Sequence, residues 1–288
     1  MITGANSGLG LATARELARK GATVVMAVRS LDRGSQAADD IRAGIPAADL
    51  RLQQLDLASL ESIRQAATEV ADATPRIDLL INNAGVMYTP RQRTADGFEM
   101  QFGTNHLGHF LFTNLLLPKV LEGTSPRIVN LSSAAHAFSD VDLDDPGFET
   151  TDYDPWVAYG RSKTANVLFT VELAHRLDGR ALAFAVHPGV IQTELARHMP
   201  KETVDELFER VKDRLKTVEQ GAATQVWAAT APELGTESGS YLANCQVGVV
   251  GEPTEHEGVK DYAYDADTAR RLWELSEELV GQSFDDPA

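Results

Sequence analysis

Short apolar, β-branched runs recur along the chain, each followed by a longer stretch of helical pattern. That alternation narrows the possible folds more than any other feature. The runs lie at residues 23–28, 50–55, 79–82, 127–131 and 181–186, and the helical stretches at about 9–20, 31–43, 59–73, 97–122 and 157–178. Most of the runs are continuously apolar, as strands covered on both faces of a parallel sheet are. With right-handed crossovers, the order β-α-β-α predicts an α/β fold with a doubly wound parallel sheet. No internal repeat and no Gly/Ser- or Pro-rich linker divides the chain, so a single domain is expected over residues 1–288. Its less regular region, from about 194 to 288, is expected to shape a substrate site, with helices at 201–216, 219–230 and 268–279 and a strand at 239–242. The acidic stretch 140–155 reads as a solvated loop, because no His joins its carboxylates at ligand spacing. A glycine-rich turn begins at Thr3-Gly4, leaving only Met1 and Ile2 as the strand that feeds it. Strands normally run about 5–6 residues. The stub is therefore expected to lower stability and cofactor affinity.

Charge and cysteine usage limit the partners. Asp and Glu number 42 against 26 Lys and Arg, a formal net charge of −16. That argues against nucleic acid or an anionic membrane as partner, while leaving room for one local cationic pocket. The single cysteine, Cys245, excludes an intramolecular disulfide and a Cys-rich metal site, and reads as a small buried hydrophobe. His106, His109, His136, His175, His187, His198 and His256 show no metal-ligand spacing, so no metal is expected. No apolar run reaches the roughly 18 residues that span a bilayer, and the first residues lack the regions of a secretory signal. A soluble, cytoplasmic protein is expected.

Several short constellations carry chemistry. In Thr3-Gly4-Ala5-Asn6-Ser7-Gly8-Leu9-Gly10, Gly4 allows a tight turn, Gly8 lets backbone approach a pyrophosphate, and Gly10 permits close helix–sheet contact. The helix start then receives the phosphate. The next strand ends in Arg29-Ser30 where an acid would bind ribose hydroxyls; Arg suits a 2′-phosphate, so NADP(H) is preferred and NAD(H) remains possible. Asn82-Asn83-Ala84-Gly85 ends a strand where such sheets bind ligands. Asn105 interrupts a long apolar helix, kinking it or placing a carboxamide inside. Asn130-Leu131-Ser132-Ser133 ends another strand, with a hydroxyl for a substrate oxygen. Tyr159 and Lys163 share a helix face, and an ammonium there is expected to lower the phenol pKa toward working pH. Pro188, Gly189, Val190, Ile191 and Thr193 follow the 181–186 strand, placed to meet a nicotinamide. Trp156 is placed either at a substrate mouth or in the core.

Taken in order, these motifs over about residues 1–195 resemble the short-chain dehydrogenase/reductase family, and residues 152–170 with the opening GANSGLG are similar to its retinol-dehydrogenase-like and WW-domain-oxidoreductase-like branch. The resemblance implies a Rossmann-type fold and an NADP(H)-dependent oxidoreductase that interconverts a carbonyl and an alcohol by hydride transfer. It implies Tyr159 as general acid/base, Lys163 lowering its pKa and holding the nicotinamide ribose, and Ser133 rather than Ser132 on the substrate oxygen. Asn105 would anchor a water in a relay to Lys163. Asn83, Ala84 and Gly85 would line the cofactor, Asp56 and Leu57 would meet the adenine, Arg29 the 2′-phosphate, and Thr193 the nicotinamide. A small-molecule substrate and a homodimer or homotetramer, formed through the apolar helices at 97–122 and 157–178, are implied. The alternative is a catalytically silent NADP(H)-binding sensor or scaffold protein, or a fragment without activity.

Overall fold

The computed structural model describes residues 1–251 and 258–285. His256 lies outside the described residues. The chain runs through β1 (Ile2–Thr3), α1 (Gly8–Arg19), β2 (Val24–Val28), α2 (Leu31–Gly44), β3 (Leu50–Gln54), α3 (Leu60–Ala73) and β4 (Leu79–Asn82). It continues through α4 (Met100–Phe102), a π-helical turn (Gly103–Leu107), α5 (Gly108–Leu121), β5 (Arg127–Leu131), α6 (Pro155–Leu177) and β6 (Leu182–His187). Then follow β7 (Val190–Ile191), α7 (Lys201–Arg210), β8 (Leu215–Lys216), α8 (Val218–Thr230), β9 (Tyr241–Ala243), β10 (Gln246–Val247), β11 (Val249–Val250), β12 (Gly258–Val259) and α9 (Ala266–Val280).

The main sheet has the order β10-β9-β6-β5-β4-β1-β2-β3, parallel throughout except for the β9–β10 hairpin. Strand order reverses between β1 and β4. Ile2 pairs with Met26 on one side and with Ile81 on the other, which opens a crevice beyond the carboxyl ends of these strands. Apolar side chains fill both faces. Ile2, Met26, Ile81, Val129 and Phe184 meet α1, α2 and α8 on one face; Leu80 and Ile128 meet α3, α5 and α6 on the other. This explains why the strands read as unbroken apolar runs.

The predicted α/β doubly wound sheet is present as a single domain. Several local expectations are corrected. The helix predicted at 201–216 ends at Arg210; Lys212–Arg214 tightens into a 3₁₀ turn, and Leu215–Lys216 pairs with Val190–Ile191. The predicted 239–242 strand is Tyr241–Ala243, and the hairpin after it turns on Asn244 and Cys245 at φ +52° and +55°. Cys245 is consequently exposed, because a two-residue hairpin turn projects its side chains away from the sheet. The 140–155 loop is less solvated than expected. Buried Asp145 accepts from the backbone N–H groups of Glu149, Thr150 and Thr151 and from both threonine hydroxyls, while Arg161 stacks 4.0 Å over the Phe148 ring. Among the described residues no group of His, Cys, Asp and Glu is arranged to hold a metal. Nor is any helix among them long and apolar enough to cross a membrane.

The apolar helices expected to form a dimer interface are covered within the chain. Phe110, Leu111, Leu116, Val167 and Leu168 are fully buried, and Trp273 of α9 meets Phe110 at 5.0 Å and Phe169 at 5.8 Å between ring centroids.

Candidate active site

The crevice begins with the turn from β1 to α1. Gly4 takes φ +65°, which only glycine adopts at no cost, and Gly4 N donates to Ala27 O at 2.8 Å. A Cβ on Gly10 would stand 2.4 Å from Gly4 O and 2.6 Å from Asn83 Nδ2, so helix and turn meet closer than any side chain permits. The start of α1 carries no acid in its first turn and Ser7 makes no side-chain cap, unlike Ser30, Ser59 and Asp154 at the starts of α2, α3 and α6. Its first backbone N–H groups therefore face an open groove with the positive end of the helix behind them. Thr3, Gly4, Asn6, Ser7, Gly8, Leu9, Arg29, Asp56, Leu57, Asn83, Ala84, Gly85 and Thr193 line this groove, which encloses about 350 Å³. These features fit a dinucleotide; Gly10, read from the sequence with them, is absent from the lining and packs against Gly4 and Asn83. Arg33, Glu194 and Arg197 line it too, and sequence reasoning missed them.

The opposite wall of the crevice is built from β4, β5 and α6. Asn82 donates from Nδ2 to Asn130 Oδ1 at 2.8 Å and to Thr113 Oγ1 at 2.7 Å, and Asn130 donates to Thr170 Oγ1 at 2.9 Å. This buried polar ladder ties β4 to β5 and α6 just below the strand ends. Asn83 is a structural member of the turn: its Nδ2 donates to Thr3 O at 2.9 Å. Thr3 Oγ1 accepts from Asn83 N and Ala84 N, both at 2.9 Å, which leaves its own hydrogen for His109 Nε2 at 2.9 Å. His109 Nδ1–H in turn donates to Asn105 O at 2.9 Å, and burial holds this imidazole neutral with a pKa of about 4.

Asn105 lies inside the π-helical turn, a slipped backbone register that sets its carboxamide in the interior, one of the two placements expected. Its carboxamide is fully committed. Oδ1 accepts from Val86 N at 2.8 Å, and Nδ2 donates to Val86 O and to Ser162 Oγ, each at 2.9 Å. It fixes the segment after β4. A Cβ on Gly85 would lie 3.1 Å from Asn105 Oδ1 and 3.7 Å from Lys163 Nζ, which places both polar groups against the same stretch of backbone.

Tyr159, Lys163 and Ser133 come together, as the spacing and motif order predict. Lys163 Nζ sits 5.5 Å from the centroid of the Tyr159 ring and donates to Leu131 O at 3.0 Å. The Ser133 hydroxyl lies close enough to the Tyr159 phenol to favour its ionised form. Ser133 Oγ also accepts from Ala135 N at 3.1 Å. Ser132 points the other way, donating to Lys163 O at 2.9 Å, which makes it a structural partner of α6. The expected lowering of the phenol pKa is corrected. Burial pushes Tyr159 up to about 12, partly opposed by the nearby Ser133 hydroxyl, and burial brings Lys163 down to about 8. Desolvation acts against both charged forms and is the largest cause of each shift.

Ser133, Tyr159, Pro188, Gly189, Val190 and Ile191 open onto a cavity of about 810 Å³ with a mainly apolar wall that includes Met87, Phe138, Trp156, Leu207 and Phe208. Trp156 stands edge-on to Phe138 at 5.7 Å and to Tyr88 at 5.1 Å, so it occupies the mouth of the cavity and not the core. Leu9, Thr193 and Leu195 line both this cavity and the glycine groove, so the two adjoin, with Tyr159 and Ser133 on the wall of the cavity.

Comparison with known proteins agrees with this geometry. The model of the short chain dehydrogenase family matches residues 1–204. The chain is 43% identical to human retinol dehydrogenase 13 over 98% of its length and 84% of the relative's, and 42% identical to human retinol dehydrogenase 14 over 98% and 85%. A crystal structure of an uncharacterized protein from Mycobacterium paratuberculosis, 40% identical, superposes with a TM-score of 0.77 over 99% of this chain and 93% of that one. The chain belongs to the short-chain dehydrogenase family, retinol-dehydrogenase-like, and is an NAD(P)-dependent oxidoreductase acting between alcohol and carbonyl.

Proposed function

We propose that this enzyme prefers NADP(H) and interconverts a bulky apolar alcohol and its carbonyl, with Tyr159 as general acid/base. The observation that carries the reading is that Tyr159 and Ser133, with Lys163 beside the Tyr159 ring, face an apolar cavity that adjoins a phosphate-accepting groove. In carbonyl reduction, Tyr159 and Ser133 donate hydrogen bonds to the substrate oxygen and stabilise the charge that develops there. A reduced nicotinamide held in the groove would supply the hydride. Tyr159 then gives up its proton, and the Lys163 ammonium beside the ring steadies the phenolate. A phenol held near 12 begins this direction protonated, as an acid must. Groove residues Gly8 and Leu9 offer backbone N–H groups to the pyrophosphate, and Arg29 stands at the adenosine end, where Asp32 is not part of the lining. The wall of Met87, Trp156, Leu207 and Phe208 favours a long apolar substrate, in line with the names of the retinol dehydrogenase relatives.

The test is Tyr159→Phe. Aldehyde reduction with NADPH is expected to fall by at least about a thousandfold, within the range of general-acid effects, while NADPH binding measured by fluorescence stays near the parent value. Unchanged turnover would remove Tyr159 from the chemistry.

A further inference from the structure

The 3₁₀ turn Glu194–His198 stands at the adenosine end of the groove, across from α2. Glu194 and Arg197 from this turn line the groove together with Arg29, Ser30 and Arg33. Three guanidiniums thus meet at one end of a groove in a chain whose net charge is −16. Arg33 Nη2 pairs with Glu194 Oε2 at 2.9 Å, and Arg197 Nη1 donates to Glu194 O at 3.1 Å. Arg29 and Arg33 are near enough that their charges act on the partly buried Arg197 guanidinium; Glu194 opposes them. Gathering like charges around one carboxylate leaves positive potential that a doubly charged anion would satisfy.

This inference rests on the NADP(H) reading above and adds residues to it. We propose that Arg197 and Arg33, joining Arg29, form the seat of the adenosine 2′-phosphate, and that Glu194 competes with that phosphate for Arg33. The groove end is then closed by a residue from beyond β7, and not by the β2–α2 turn alone. Arg33 and Glu194 are both more than half exposed, so their pair can exchange partners without opening the core.

Calorimetric titration of the full chain with adenosine 2′,5′-bisphosphate and with 5′-AMP tests the seat without requiring turnover. Arg197→Gln is expected to weaken bisphosphate binding about tenfold or more, the scale of one lost charge-assisted contact. Its affinity for 5′-AMP is expected to change by less than about twofold. Glu194→Gln is expected to tighten the bisphosphate and leave 5′-AMP unchanged. If Arg197→Gln binds both probes as the parent does, or if Glu194→Gln loses the bisphosphate, the proposal is wrong. Arg29→Gln separates the two levels of the argument. A parent chain that does not distinguish the two probes would overturn the NADP(H) reading and the seat with it. A parent preference that disappears in Arg29→Gln but persists in Arg197→Gln would overturn the seat alone.

Discussion

Lys163 is held where burial and function oppose each other. Its ammonium is almost fully buried, with Leu131 O as hydrogen-bond partner, and desolvation brings its pKa from 10.5 to about 8. Between those two values the unfolded chain binds a proton that the folded chain does not. Stability relative to the protonated reference therefore rises as pH goes from 8 to 10.5, and below 8 the desolvation penalty is present in full. A shift of this size corresponds to about 3–4 kcal/mol. Lys163→Met removes the charge, and Leu131 O keeps Asn166 Nδ2 as a donor at 2.9 Å. The variant is expected to be inactive and, at pH 7, more stable than the parent, with the difference shrinking above pH 8. Urea titrations at pH 7 and pH 10 measure this; a variant less stable than the parent at pH 7 would show that Lys163 is not under strain. At this scale the sequence was partly legible. Tyr159 and Lys163 are read from a four-residue spacing, but the direction of the phenol shift depends on burial, which no spacing records. Arg197 reaches the groove from a distant turn, and nothing in its neighbours signals that.

At the scale of elements, the β1–α1 turn shows how little room the site leaves. Gly10 is tight against backbone and against Asn83, whereas Gly44, near the end of α2, has nothing within 4 Å of the position a Cβ would take. Gly10→Ala is expected to push α1 off the β4 turn, lowering the melting temperature and weakening NADPH binding by more than about tenfold. Gly44→Ala is expected to leave binding unchanged and stability equal or up to about 1 kcal/mol higher, because its helical backbone accepts Ala. Parallel thermal melts and NADPH titrations compare the two. Equal behaviour would mean that the close approach at Gly10 is not needed. The strands of the main sheet were legible because both faces are buried, and burial on both faces leaves continuous apolar runs. The π-helical turn was not. It is a slip in backbone pairing at Asn105 whose cause lies in contacts to Val86 and Ser162. The overlong helix at 201–216 followed from a charged amphipathic pattern that continues past Arg210, while β7 recruits Leu215–Lys216.

For the molecule as a whole, the C-terminal helix decides what its surface offers. Ala269, Leu272, Trp273 and Val280 of α9 are buried against α5 and α6, Ser276 Oγ meets His106 Nε2 at 2.8 Å, and Arg176 stacks 4.3 Å over Trp273. Their apolar residues, more than one sheet can cover, together with the family resemblance, made α5 and α6 read as an assembly surface. What the sequence did not show is that α9 returns to cover the excess. Removing α9 returns that area to solvent. A chain ending at Tyr264 is therefore expected to self-associate or precipitate more readily than the intact chain. Trp273→Ala, a milder change, is expected to cost about 3–5 kcal/mol, the usual range for truncating a large buried aromatic. Sedimentation velocity on the intact and shortened chains, with urea titration of Trp273→Ala, tests the assignment. A shortened chain that stays folded and monomeric would mean that α9 is dispensable as a cover and that the apolar faces of α5 and α6 are satisfied by the sheet alone.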